Sequence, residues 1–232
     1  MKKHPFSGFK NFLILWSTQS LSQLGSSMTA YALTLWLYEK TGSSLSAAAL
    51  TSCSYAPYIL MSIFAGALTD RFDKKKLMLC CDSFAAVCTV AVLALFCTGR
   101  LAGWHLYLLN AVSGLMNTVQ QPASDVAMTL LIPREQYQRA SGLQSLSRSL
   151  ISILNPLIAT AVYSFAGLKL VIALDLGSFA VAFLALLLLI PIPQNEVQKE
   201  ESVLSLAKGG LSFLKQNPMI LTLILFMAGV NL

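Results

Sequence analysis

A run of about 20 consecutive apolar residues leaves a chain few options, because a helix of that length crosses a hydrocarbon core about 30 Å thick. This chain holds six such runs, at residues 12–38, 46–69, 77–98, 103–131, 143–165 and 168–190, separated by short polar segments. A seventh, "MILTLILFMAGVNL", follows Asn217-Pro218 and has 14 residues, which is short of a full crossing. Of the 232 residues 56% are hydrophobic and only 11% charged, with mean hydropathy +0.67, where soluble domains carry roughly a quarter charged residues. The expected fold class is therefore an all-α polytopic membrane protein. Its expected organisation is a tail at 1–11, six transmembrane helices over 12–190, a linker at 191–217 and a cut-short seventh helix at 218–232.

The basic residues orient it. Twelve of the 16 Lys and Arg fall in the tail and the even-numbered loops, against Lys40, Arg100 and Lys169 on the other side, with Arg148 inside the fifth run. Positively charged loops stay in the cytoplasm, so the N-terminus is expected inside, with the chain in the cell membrane. The net charge of +6, spread over four segments beside membrane helices, does not describe a nucleic-acid surface. "MKKHPF" before "FLILW" has the start of a signal peptide, but the apolar run breaks at "STQSLSQ" without an Ala-x-Ala site, which predicts an uncleaved first helix. The five cysteines form no C-x-x-C pair and His4 and His105 stand apart, so no metal or cofactor is expected. No nucleophile with its base is recognisable, and the chain is not read as an enzyme.

Two runs carry a polar face. Gln19, Gln23, Ser26, Ala30 and Thr34 recur at steps of three or four in the first, and Asn110, Gly114, Asn117, Gln121 and Asp125 do so in the fourth, beside Pro122. Interhelical hydrogen bonds of about 1 kcal/mol each in a closed bundle would explain any one of these residues. Two matched stripes, each opening a group of three helices, fit better with a water-filled path between two three-helix repeats.

Ionisable groups at membrane depth cost at least about 2.5–3.5 kcal/mol, and they persist where they are paired or functional. Asp82 and Asp125 lie toward the cytoplasmic ends of the third and fourth runs, where snorkelling or capping could satisfy them. Asp175 lies deeper in the sixth run from the outside, and Arg148 in the fifth from the inside. Each carboxylate could exchange a proton or be held charged by a cation such as Arg148, and the sequence leaves both open.

Between the second and third runs, "GALTDRFDKKKL" resembles the G-x-L-[AS]-D-R-x-G-R-[KR]-x-x signature of major facilitator superfamily transporters, with Gly66, Leu68, Asp70, Arg71, Lys74 and Lys75 in matching places. "NFLILWSTQSLSQLGSSM", "QQPASDVAMTLLIPREQYQRASGL" and "GLSFLKQNP" are similar to the drug and macrolide exporter branch. The resemblance implies the N-terminal bundle of a permease, built of two three-helix repeats, that exports hydrophobic or amphipathic small molecules driven by protons. It implies a lipid bilayer and a C-terminal six-helix half as partners, and a chain that does not transport alone. Gln19, Gln23, Asn110, Asn117 and Gln121 would line the substrate path, with Asp125, Asp175, Asp82 and Arg148 as proton-coupling candidates. Gly66, Asp70, Arg71, Lys74 and Lys75 would form a gating latch, beyond the lysines' role in topology and headgroup contact.

Three local features qualify this picture. Asp70 stands near a helix boundary, where it could cap the next helix, and Asp73 replaces a glycine of the signature's tight turn. "ISILNPLIAT" keeps Pro156 of the antiporters' G-x-x-x-G-P-x-x-G-G pattern but has Asn155, Ala159 and Thr160 in glycine places. Val203, Ala207, Gly210, Leu211 and Leu214 share a face of an expected interfacial helix. The alternative to an exporter is a non-transporting remnant, or a half-transporter subunit that needs a separate C-terminal half.

Overall fold

The computed structural model describes residues 5–192, 209 and 212–230; of the interfacial helix expected through Val203, Ala207, Gly210, Leu211 and Leu214, only Leu214 lies within these residues, in a helical stretch at 212–216. Among the described residues the fold is helical, without strands. The helices are α1 (Pro5–Thr41), α2 (Ser44–Arg71), α3 (Lys74–Cys97), α4 (Gly103–Leu131), α5 (Tyr137–Leu188) and α6 (Pro218–Val230), with a 3-10 turn, Arg134–Gln136, before α5. Helix α1 already runs from Pro5, so described residues of the expected tail belong to the first helix.

The fifth and sixth runs, expected as two helices, are joined by a single residue. Gly167 has φ 73 and ψ 179, a region open essentially to glycine alone, and breaks α5 into two arms, 137–166 and 168–188. A straight helix of these 52 residues would be about 78 Å long. Instead Ala140 and Leu186 share one apolar cluster, and Ala159 and Ile172 share another, so the second arm folds back along the first.

These two clusters hold opposite ends of the bundle. One joins Leu33, Leu37, Leu50, Val92, Leu106 and Val171; the other joins Phe12, Leu15, Met78, Ala127, Leu131 and Ile190. Between them run the polar stretches of α1 and α4. Helix α1 packs against α5, and α4 packs against α2 and α3.

By apolarity alone, two segments are long and greasy enough to cross a membrane: Lys74–Cys97, with mean hydropathy 2.2 in its best window, and Arg134–Leu188, with 2.4. Helices α1 and α4 have the length, at 37 and 29 residues, but carry amides and hydroxyls along one side. That polar side faces the interior of the bundle.

Candidate functional site

The stripes meet at a cavity of about 500 Å³ between the apolar clusters. Gln19 and Gln23 of α1 and Asn110, Asn117 and Gln121 of α4 all lie on its wall, together with Asp82, Asp125, Asp175 and Arg148. A step of three or four residues in a helix keeps side chains on one face, and each helix aims its stripe at the same space. Two close crossings support the walls. A Cβ on Gly25 would come within 3.0 Å of Asp175 Cα, and one on Gly114 would collide with the Ser54 carbonyl oxygen. Further bonds fasten α1 to the first arm of α5: Ser20 Oγ donates to Ser147 Oγ at 3.0 Å, and Trp16 Nε1 to the Leu143 carbonyl at 3.2 Å.

The ionisable groups fall into three sets. Gln120 Nε2 donates to Asp82 Oδ1 at 2.6 Å and to Gln19 Oε1 at 3.3 Å, linking α4, α3 and α1. Gln19 also lies within hydrogen-bonding reach of the Asp82 carboxylate, so the three side chains form one polar set on the cavity wall. Arg148 lies 3.6 Å from Asp125, which also accepts from Gln121 Nε2 at 3.2 Å; the pair is 60% and 43% exposed. A pair this open contributes at most about 1 kcal/mol to stability, so its position on the cavity wall is its more informative property. Asp175, 4% exposed, accepts from Ser26 Oγ at 2.9 Å, and Ser178 Oγ donates to its backbone carbonyl at 2.9 Å.

Gln120 had no periodic signal to announce it, since the α4 stripe passes through Gln121. Its role depends on Asp82, 38 positions away in sequence, reaching the same level of the bundle.

The loop residues are positioned differently from the site residues. Helix α2 continues through Asp70 and Arg71, so Asp70 cannot cap α3, as had been expected. The cap is Asp73, whose Oδ1 accepts from the Lys76 amide at 2.9 Å; with φ −60 it needs none of the freedom of the glycine it replaces. Lys74 is 8% exposed and turns back to the Asp70 carbonyl at 3.4 Å. Lys75 Nζ donates to the carbonyls of Leu187 at 3.0 Å and Ile190 at 2.9 Å, a cation on the negative end of the second arm of α5. Lys76 is exposed. Among the described residues the Asp70 carboxylate has no salt bridge, and Gly66 has nothing within 4 Å of where a Cβ would stand. In the first arm of α5, Ala159 is fully buried where a family glycine would stand, and Asn155 Oδ1 is buried without a partner beside Pro156.

The family model of the Major Facilitator Superfamily matches residues 15–232. The chain is 26% identical to macrolide efflux protein A of Streptococcus pyogenes over 216 residues, which cover 92% of this chain and 53% of that protein. It is 27% identical over 230 residues to YfiS, an uncharacterised MFS-type transporter of Bacillus subtilis, covering 96% of this chain and 53% of that one. Macrolide efflux protein A of Enterococcus faecalis is 26% identical over 173 residues, or 74% of this chain and 54% of that protein. The chain spans about half the length of these curated relatives. With the all-helical fold, the loop signature and a family match over nearly its whole length, the chain belongs to the major facilitator superfamily of membrane proteins.

Proposed function

We propose that this chain is the N-terminal half of a transporter that exports hydrophobic or amphipathic small molecules, macrolides among them, across the cell membrane at the expense of the proton gradient. In this reading α1 to α4 and the two arms of α5 are six membrane spans, with the N-terminus in the cytoplasm. The main support is the polar cavity walled by the stripes of α1 and α4. A wet path of this kind, placed between apolar ends, is what a transporter needs and what a closed bundle avoids. The packing agrees with a three-plus-three repeat. Support for that repeat is that α1 packs chiefly on the two-armed α5, as α4 packs on α2 and α3.

Gln19, Gln23, Asn110, Asn117 and Gln121 then line the substrate path, and Asp82, Asp125 and Asp175 are the carboxylates available for coupling, with Arg148 as a charge partner. Asp70, Arg71 and Gly66 form the outward half of a latch, while Lys74 and Lys75 hold the loop's shape from within. Alternating access requires a second body to rock against this one, and a chain half the length of its relatives supplies one of the two.

Cells that express the chain together with a C-terminal six-helix half should accumulate less labelled macrolide than cells with an empty vector. A proton uncoupler should abolish the difference. Equal accumulation across a broad compound panel, with the protein present in the membrane, would contradict export. The chain expressed without the second half should not lower accumulation. In the complete transporter Asp70→Asn should reduce export while leaving insertion intact, and normal export in that variant would remove the latch assignment.

A further inference from the structure

We propose that Gln120 is a positioning residue of the path: it ties Gln19, on the α1 wall, to the Asp82 carboxylate of α3, so that whatever engages one is felt by the other. Gln120 Nε2 lies 2.6 Å from Asp82 Oδ1 and 3.3 Å from Gln19 Oε1, and all three side chains stand on the cavity wall. The sense of these bonds is dictated by charge. An ionised carboxylate has only acceptors to offer, so the nitrogen end of the Gln120 amide faces Asp82 and its oxygen end does not. That nitrogen carries a second hydrogen, which meets the Gln19 carbonyl oxygen. The nitrogen end of Gln19 is then the end left to turn toward Asp82, and Gln19 lies within reach of that carboxylate. One carboxylate thereby fixes two amides whose ends are otherwise interchangeable.

The place of this tie gives it a consequence. Helix α1 packs chiefly on α5, whereas α4 packs on α2 and α3, so the bond from Gln120 to Gln19 crosses from one packing group to the other. A ligand hydrogen-bonded to Gln19 turns that amide, draws on Gln120 and changes what donates to Asp82. By linkage, a change at Asp82 acts on the ligand in equal measure. An ordinary interhelical hydrogen bond would add stability and nothing else. The inference rests on the reading of Gln19 as part of the substrate path, and adds to that path a residue outside both polar stripes.

The test uses the complete transporter, the chain with its C-terminal half, and Gln120→Met, which keeps the length of the side chain without its donors. The infrared carboxyl band of Asp82, isolated by subtracting the spectrum of Asp82→Asn, should shift in Gln120→Met and stay in place in Asn110→Ala. An unshifted band in Gln120→Met would overturn the tie, whether or not the protein exports anything. Equilibrium binding of a radiolabelled macrolide then reads the link to the path. Gln19→Met and Gln120→Met should each weaken binding about tenfold, and the double variant about tenfold as well, because the two residues act as a unit. Gln120→Met combined with Asn110→Ala should instead multiply the separate losses. Multiplied losses in the pair with Gln19→Met, or unchanged affinity in Gln120→Met, would overturn the positioning role. Should Gln120→Met fail to reach the membrane, Gln120→Leu takes its place with the same expectations. A wild type that binds no macrolide would contradict the export reading alone, and the infrared band would still decide the tie.

Discussion

Asp73 illustrates how a single residue can replace the glycine of a signature by a different physical route. A glycine would supply a tight turn through its backbone freedom, whereas Asp73 stays at φ −60 and satisfies an amide of the first turn of α3 with its carboxylate. Asp73→Ala should cost about 1 kcal/mol of stability, and Asp73→Asn much less, as measured by denaturant unfolding in detergent. Equal losses in the two variants would mean that the cap contributes little. Lys75 adds a second tie, from the loop to the end of α5. The identity and place of both residues were legible in the sequence, but their partners were not. Whether Asp70 or Asp73 caps α3 depends on where α2 stops, and its continuation through Arg71 transfers the cap to Asp73. Gln120 was hidden for a related reason, because its partners Asp82 and Gln19 belong to other helices.

At the level of elements, the long weakly charged runs of the sequence were enough to mark helical segments, although by apolarity alone only Lys74–Cys97 and Arg134–Leu188 suffice to cross a membrane. The joint inside α5 was not legible as a one-residue break, because Gly167 between apolar neighbours looks like any other small residue of a membrane helix. The crossings were half legible. Gly114 stands in the α4 stripe, but nothing in the sequence distinguishes its need for space from that of Gly66. Gly114 sits against the backbone of Ser54, while Gly66 faces open space. Gly114→Ala should therefore destabilise the bundle by about 1–3 kcal/mol, whereas Gly66→Ala should stay within about 0.5 kcal/mol. Thermal unfolding of the two variants in the same detergent checks this, and a reversed order would contradict the packing of α2 on α4.

For the whole molecule, two large apolar clusters toward the ends and a smaller one around Ala65, Cys81 and Val119 surround a cavity with polar walls. The period of the stripes on α1 and α4 made the polar faces visible in sequence. That they share one cavity with Asp82, Asp125, Asp175 and Arg148 depends on how six helical segments pack, and no local pattern encodes that. The central claim is that this interior is wet and forms a path for substrate. It is tested most directly by replacing Gln23 and Asn117, one on each wall, with cysteine in a complete transporter freed of its native cysteines, and measuring their reaction with a hydrophilic maleimide. Both positions should label, and a macrolide should slow the labelling, while Leu157→Cys on the outer apolar face of α5 should stay unreactive. If Gln23→Cys and Asn117→Cys were as inert as Leu157→Cys, the cavity would be closed to water and the account of a transport path would be wrong.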